Sequence, residues 1–174
     1  MKFNTLLGAG SAAALAATIA LGAGSLVQAS EGTPLQLASA EQMAAVKERQ
    51  ELMKSIGGNM KTIVDFLKES KGTAAEAQAA AAKIGELAEM IPAAFEVEAS
   101  LDEMDAVGKN RGKPEIWLNW DGFVEDAETL EDRAGALAAA FEGGDAGAIQ
   151  AAFGAMGKEG CGGCHEDFRG PKVE

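Results

Sequence analysis

Residues 151–170 read AAFGAMGKEGCGGCHEDFRG, and this stretch contains both cysteines of the chain, Cys161 and Cys164, and its only histidine, His165. Apolar residues precede the cysteines at intervals that suit one face of a helix, and Asp145 can cap the start of that helix. A glycine followed by a proline marks its end. We therefore expect the three chemically distinctive side chains to lie near the C-terminal end of one helix.

The spacing of Cys161, Cys164 and His165 suits the attachment of a flat prosthetic group to a helix. Positions i, i+3 and i+4 share one helix face. Two thiols there can form thioethers with the vinyl groups of a porphyrin, and the adjacent imidazole can reach the iron as its proximal ligand. Because Cys-x-x-Cys-His is the pattern of c-type haem attachment, we predict one haem c per chain, held covalently by these side chains.

Three other interpretations of the cysteine pair are less well supported. A disulfide would leave the adjacent histidine unexplained. A thioredoxin-like redox pair lies at the start of a helix that follows a strand, where the helix dipole lowers the thiol pKa, whereas this pair lies at the end of a helical pattern. A zinc site would lack a fourth ligand.

Three further helices are expected upstream, and no strand pattern competes with them. Ser39 to Gln42 has the form of a capping box, which predicts a helix start near Ala40. An irregular, acidic segment at 93–113 separates the second helix from the third. The predicted helices extend from Ala40 to Lys71, from Thr73 to Met90, from Pro114 to Phe141 and from Asp145 to Gly170.

Four helices of this length predict an all-α fold, an antiparallel four-helix bundle with covalent haem c on its C-terminal helix. Alanine is abundant and tyrosine is absent, which also favours helix over sheet. The mid-helix pair Gly57-Gly58 predicts a close approach by another backbone or by a flat cofactor.

The first 29 residues are predicted to be a cleaved signal peptide, which leaves residues 30–174 as one domain. Lys2 precedes an apolar run of small residues, and Val27-Gln28-Ala29 has the form of a signal-peptidase site. A retained membrane anchor is the alternative, but the run is poor in large apolar side chains and broken by glycines. We therefore expect an exported, periplasmic protein with no membrane contact after cleavage.

The net charge indicates which partners the chain could have. The whole chain has a formal net charge of −12, and loss of Lys2 with the signal peptide would make it about −13. Such a surface repels nucleic acid and anionic lipid. We expect the partners to be periplasmic redox proteins that make contact through a basic face.

These features resemble the class II c-type cytochromes, the cytochrome c′ family, which are periplasmic four-helix bundles with haem attached near the C-terminus. The resemblance covers essentially all of residues 30–174. Besides the haem helix, it rests on RQELM at 49–53 with GGNMK at 57–61, and on KPEIW at 113–117.

The resemblance implies a role for each matching side chain. His165 would be the proximal ligand, and Cys161 and Cys164 the thioether anchors. Arg169 would lie near the proximal face of the haem and Arg49 near its propionates. A solvated surface charge is the alternative for both arginines.

Met53 aligns with the family's distal, haem-facing residue, and its role separates two functions. In the high-spin branch this residue only blocks the sixth coordination site, so the five-coordinate iron is open to nitric oxide and carbon monoxide. In the low-spin branch a methionine here ligates the iron, and the protein is a six-coordinate electron carrier. The chemistry of methionine permits both. We favour the gas-accessible site, with or without one-electron transfer.

Two further expectations concern catalysis and assembly. Enzymatic activity is not expected, because no second histidine is available as a distal acid or base. The resemblance also implies a homodimer built on the first two helices. Small residues there would permit close contact, although they equally suit helix propensity; they are Ala74, Ala75, Ala79, Ala80 and Ala82.

Overall fold

The computed structural model describes residues 38–100 and 110–172, and most of them are helical. The predicted signal peptide at 1–29 lies outside these ranges. No helix within them is both long and apolar enough to span a bilayer. The helices are α1 (Ala40–Glu69), α2 (Ala74–Ala88), α3 (Ile91–Ala94), α4 (Glu115–Leu118), α5 (Trp120–Gly143), α6 (Ala146–Ala155) and α7 (Cys164–Phe168), and a π-helical segment (Met156–Gly163) joins the last two.

The starts of α1 and α2 are set by local side-chain caps. The predicted capping box is present: the Ser39 side chain accepts from the Gln42 N–H, and the Gln42 side chain accepts from the Ser39 N–H. Thr73 and Glu76 form a second capping box at α2. Each box satisfies backbone donors that the first helical turn leaves unpaired.

The second and third helices differ from their predicted extents. α2 ends at Ala88 rather than Met90, and Pro92 lies in the first turn of α3, where its missing N–H costs no hydrogen bond. The third helix breaks at Asn119, whose backbone (φ −130°, ψ 58°) leaves the helical region. The Asn119 side chain fills the space that a Cβ at Gly122 would occupy, with Nδ2 only 2.5 Å away.

The C-terminal helix, residues 146–168, is continuous but not regular. Between Met156 and Gly163 its backbone is π-helical, a form that is rare in proteins and frequent at functional sites. Gly160 lies against α5, because a Cβ there would be 3.0 Å from Leu130 Cδ1 and 3.1 Å from Leu130 Cα. This glycine therefore lets the π-helical segment approach α5 closely.

The long helices form the predicted antiparallel bundle. α1 packs on α2, α2 on α5, and α5 on the C-terminal helix. The Phe95 ring, beyond the end of α2, makes a tilted contact with the Phe123 ring at the start of α5, and their centroids are 5.0 Å apart. Gly85 of α2 lies opposite Ala134 farther along α5, so α2 and α5 run in opposite directions. The side chains that fill the centre are Ile63, Ile84, Ile116, Phe123, Leu137 and Met156.

Candidate functional site

A cavity of about 600 Å³ lies between α1, α5 and the C-terminal helix. Much of its wall is apolar, with Ile56, Ile116, Phe123 and Leu130 among the lining residues. All six side chains proposed from the sequence line this one cavity: Arg49, Met53, Cys161, Cys164, His165 and Arg169.

The thiols of Cys161 and Cys164 are free and partly buried in the cavity wall. Burial raises the pKa of Cys161. Burial and then the nearby Asp126 carboxylate raise the pKa of Cys164 to about 12. The thiols are therefore protonated at neutral pH, unlike the low-pKa thiolate of a thioredoxin-like pair. Among the described residues, no cluster of three or more histidine, cysteine or acidic side chains could hold a metal ion.

His165 lies beside the cysteines and lines the same cavity. Burial, and then the positive charges of Arg169 and Arg111, lower the pKa of the imidazole to about 4. At neutral pH the ring is therefore uncharged and keeps a lone pair on one nitrogen. A neutral imidazole is the form that ligates a metal ion.

Met53 lines the cavity from α1, and Met60 does so two turns later. Both side chains are partly buried. Gly57 lies between them, and no atom is within 4 Å of the position that its Cβ would take. The predicted approach of another backbone at Gly57-Gly58 is therefore wrong within the described residues, and the space beside Gly57 belongs to the cavity.

Arg49 is buried, with 4% of its surface exposed, so the alternative of a solvated surface charge is wrong. Its Nε donates to the Ala94 carbonyl oxygen at 2.9 Å, its Nη1 to that of Ala99 at 3.2 Å, and its Nη2 to that of Val97. Burial lowers its pKa to about 10. Arg49 thus anchors the chain that follows α3 while still lining the cavity, and its contact with a propionate stays a prediction.

Arg169 follows α7, and its side chain is exposed. It nevertheless lines the cavity, and its charge lowers the pKa of His165. This position agrees with the proximal location that the resemblance implies, while its role stays a prediction.

The lining residues that were not foreseen from the sequence include Asn110, Arg111, Gly112 and Asp126. The first three belong to the segment 93–113, for which the sequence analysis predicted only irregular structure. Their neighbour Lys113, in the KPEIW stretch, was the one available signal. Asp126 is an acidic residue of α5 whose pKa is raised by burial and by the nearby Asp167.

Known proteins share both the sequence pattern and the fold. The family model for Cytochrome C′ matches residues 44–169. The cytochrome c′ of Rhodospirillum rubrum is 30% identical over 131 residues, which are 75% of this chain and 85% of the relative. The solved structure of a cytochrome c′ that has an unusual ligand-controlled dimer dissociation matches with a TM-score of 0.64 and 28% identity, covering 77% of this chain and 100% of that one. The nitric oxide complex of a cytochrome c prime variant from Alcaligenes xylosoxidans has a TM-score of 0.62 and 26% identity, covering 78% and 100%.

The residues present fit the cofactor that this likeness implies. Cofactor pockets generally measure about 300–1,000 Å³ and combine apolar walls with a few polar groups. Here the apolar walls suit the faces of a porphyrin, and the two thiols and the imidazole come from one helix. The chain belongs to the cytochrome c′ family, as the sequence predicted, and like its members it carries one covalent haem c with its iron.

Proposed function

We propose that Cys161 and Cys164 anchor the haem, that His165 ligates the iron, and that the opposite side binds small gases such as nitric oxide or carbon monoxide. One observation carries the haem site of this proposal: the thiols and imidazole of the C-terminal helix and the thioether of Met53 on α1 line a single cavity. A bound haem supplies an iron that can take a diatomic ligand and exchange one electron. The protein anchors the haem, and it restricts access to the side of the iron that faces away from His165.

The protein side chains divide this work between the two sides of the cavity. On the proximal side, burial keeps His165 neutral, and two attachment points on the same helix fix the group relative to that imidazole. On the distal side, Met53 is flexible and apolar. We infer that it excludes water and larger ligands by bulk and yields to a diatomic gas.

The nitric oxide complex of the Alcaligenes xylosoxidans relative supports the gas-binding function. A six-coordinate, low-spin electron carrier is the alternative. It is favoured by the thioether of Met53 in the same cavity as His165, since methionine is a good haem ligand. One-electron transfer is compatible with both states of the iron, and we propose it as an accompanying role.

We further propose that the protein is exported to the periplasm, is not an enzyme, and meets basic redox partners through its acidic surface. The net charge of −12 supports such partners. A homodimer through α1 and α2 is also proposed, by analogy with the relative that shows dimer dissociation. Of the five alanines noted above, Ala80 is buried in the core, whereas the other four are exposed and available for contact.

The deciding experiment is the absorption spectrum of the purified protein, oxidised and then reduced with dithionite. Broad high-spin bands, without a sharp α and β pair on reduction, are expected for the gas-binding site. Sharp α and β bands would instead establish the six-coordinate electron carrier. Absence of a Soret band from protein made in a host that attaches haem would contradict the whole proposal. Cys161→Ser with Cys164→Ser is the control and should lose the covalent haem.

A further inference from the structure

We propose that Arg111 and Lys113 are positioning residues for the proximal ligand, acting through a strap, residues 110–113, that holds the end of the C-terminal helix. The inference rests on the proposed role of His165. Neither residue is assigned to touch the iron or a gas. Their function is to fix the short helix α7, and with it the orientation of the His165 imidazole.

Lys113 caps the C-terminal end of α7. Its Nζ donates to the carbonyl oxygens of Glu166 at 3.0 Å and Asp167 at 2.7 Å. Its backbone N–H donates to the Phe168 carbonyl at 3.1 Å. A helix leaves its last four carbonyls without partners in the helix, so a single residue satisfies three consecutive carbonyls at this end. The ammonium charge also suits the negative end of the helix dipole.

Arg111 holds the chain just beyond α7. Its Nε lies 2.9 Å from the carbonyl oxygens of both Gly170 and Pro171, and its Nη2 donates to Gly170 at 2.6 Å. The Gly170 N–H in turn donates to the Arg111 carbonyl at 2.7 Å. Together with the antiparallel bridge between Gly112 and Arg169, these bonds join the strap to the chain that follows α7.

The strap is itself tied to the opposite wall of the cavity. Asn110 donates through Nδ2 to the Ala99 carbonyl at 2.9 Å, and the same oxygen accepts from Arg49 on α1. Asn110 also accepts from the Gly112 N–H at 3.2 Å. These hydrogen bonds, together with the backbone of the strap, therefore connect α1, which supplies Met53, to α7, which supplies His165.

α7 needs such an external restraint because it is short and follows irregular backbone. It has five residues and follows the π-helical segment. Phe168 fixes one side of α7 through an edge-on contact with Phe123, in which the two ring centroids are 5.3 Å apart. That contact anchors the end of α7 at one point, whereas the strap bonds restrain the backbone on either side of it.

The test compares Lys113→Met, which keeps most of the apolar stem but removes the donor, with Lys113→Arg, which restores a donor. Lys83→Met is the control, since Lys83 is exposed and pairs only with Glu86 at 2.7 Å among the contacts described. In the haem-loaded proteins, electron paramagnetic resonance of the ferric iron reports the orientation of the imidazole. Hydrogen exchange of the amides at 164–168 reports opening of α7.

We expect Lys113→Met to shift the ferric g values and to speed amide exchange at 164–168 about tenfold, the effect of losing roughly 1.4 kcal/mol of local stability. Lys113→Arg should restore both, and Lys83→Met should change neither. Faster exchange with unchanged g values would overturn the proposal, because the strap would then be merely structural. Unchanged exchange and g values would overturn it as well.

A second variant tests the proposal if Lys113→Met does not fold. Arg111→Lys keeps the charge but loses the planar fork that reaches Gly170 and Pro171, and it should shift the g values in the same direction by a smaller amount. Unaltered g values in that variant would also overturn the proposal. A wild-type protein without a Soret band would instead refute the proposed function itself, which separates the two failures.

Discussion

The guanidinium carbon of Arg49 lies 4.6 Å from the centre of the Phe95 ring. This stacking accompanies three hydrogen bonds to the carbonyls of residues 94, 97 and 99. Arg49 therefore lines the cavity and also holds residues 94–99 in place beside it. Its planar fork matches the three carbonyls in a way that a lysine cannot.

Replacing Arg49 should therefore destabilise the protein strongly. We expect Arg49→Ala to lower the free energy of unfolding by about 3 kcal/mol and Arg49→Lys by about 1–2 kcal/mol, because buried carbonyls lose charged donors. Urea unfolding followed by circular dichroism measures both. Lys47→Ala is the control, since Lys47 is exposed and its pair with Glu51 should contribute less than about 1 kcal/mol. Wild-type stability in Arg49→Lys would contradict the requirement for the fork.

Met53→Leu tests whether the thioether ligates the iron. The substitution nearly conserves side-chain volume but removes the sulfur. For the gas-accessible site we expect the reduced absorption spectrum to stay as in the wild type. Met60→Leu is the matched control, because Met60 lines the same cavity from the same helix. Loss of sharp α and β bands in Met53→Leu alone would establish the electron-carrier alternative.

Gly160→Ala should destabilise the contact between the π-helical segment and α5. The new methyl group would lie 3.0–3.1 Å from Leu130 atoms, one of them the backbone Cα, and overpacking of this kind costs about 1–3 kcal/mol. Gly154→Ala on α6 should instead stabilise by about 0.5–1 kcal/mol, because no atom lies within 4 Å of its Cβ position. Thermal unfolding of the two variants, measured side by side, should therefore move in opposite directions. Equal effects would show that the close approach at Gly160 is unimportant.

The low pKa of His165 predicts a pH dependence that haem binding should remove. In a haem-free Cys161→Ser, Cys164→Ser protein, we expect the folded imidazole to keep its pKa of about 4, against 6.5 when unfolded. Between these values the unfolded state binds more protons, so stability falls as the pH falls from 6.5 to 4. Because the ring is partly exposed, we expect a loss of no more than about 2 kcal/mol.

Adding His165→Gln to the haem-free protein isolates this effect. Asp126 also titrates in the acid range, and its raised pKa acts with the opposite sign. The difference between the two haem-free proteins therefore belongs to the imidazole. In the haem-loaded wild type, iron ligation should abolish this titration. A haem-loaded protein whose stability still falls between pH 6.5 and 4 as the haem-free one does would argue against His165 as the ligand.

Local sequence patterns predicted the chemistry and the helix starts well. The capping box of Ser39 and Gln42 and the cap at Asp145 are present as expected. Such signals are readable because the interacting groups lie three residues apart. The prediction failed at Asn119, where the helix breaks although the Asn119 side chain lies against Gly122 only three residues away, and at the π-helical segment. The π-helical segment lies against Leu130 of α5 through Gly160, and helix propensity does not register a contact between residues so far apart in the chain.

The sequence alone determined that two thiols and the only imidazole share one turn near the C-terminus, because covalent spacing and helix geometry place them there. Only the tertiary structure decided that Arg49 is buried, and that Arg111 and Lys113 hold the end of α7. Their partners lie 45 to 60 residues away along the chain. A cation in a sequence has no preferred partner at that distance. Packing supplies the partners by bringing carbonyls within hydrogen-bond range, and for the buried Arg49 it also removes water from the guanidinium.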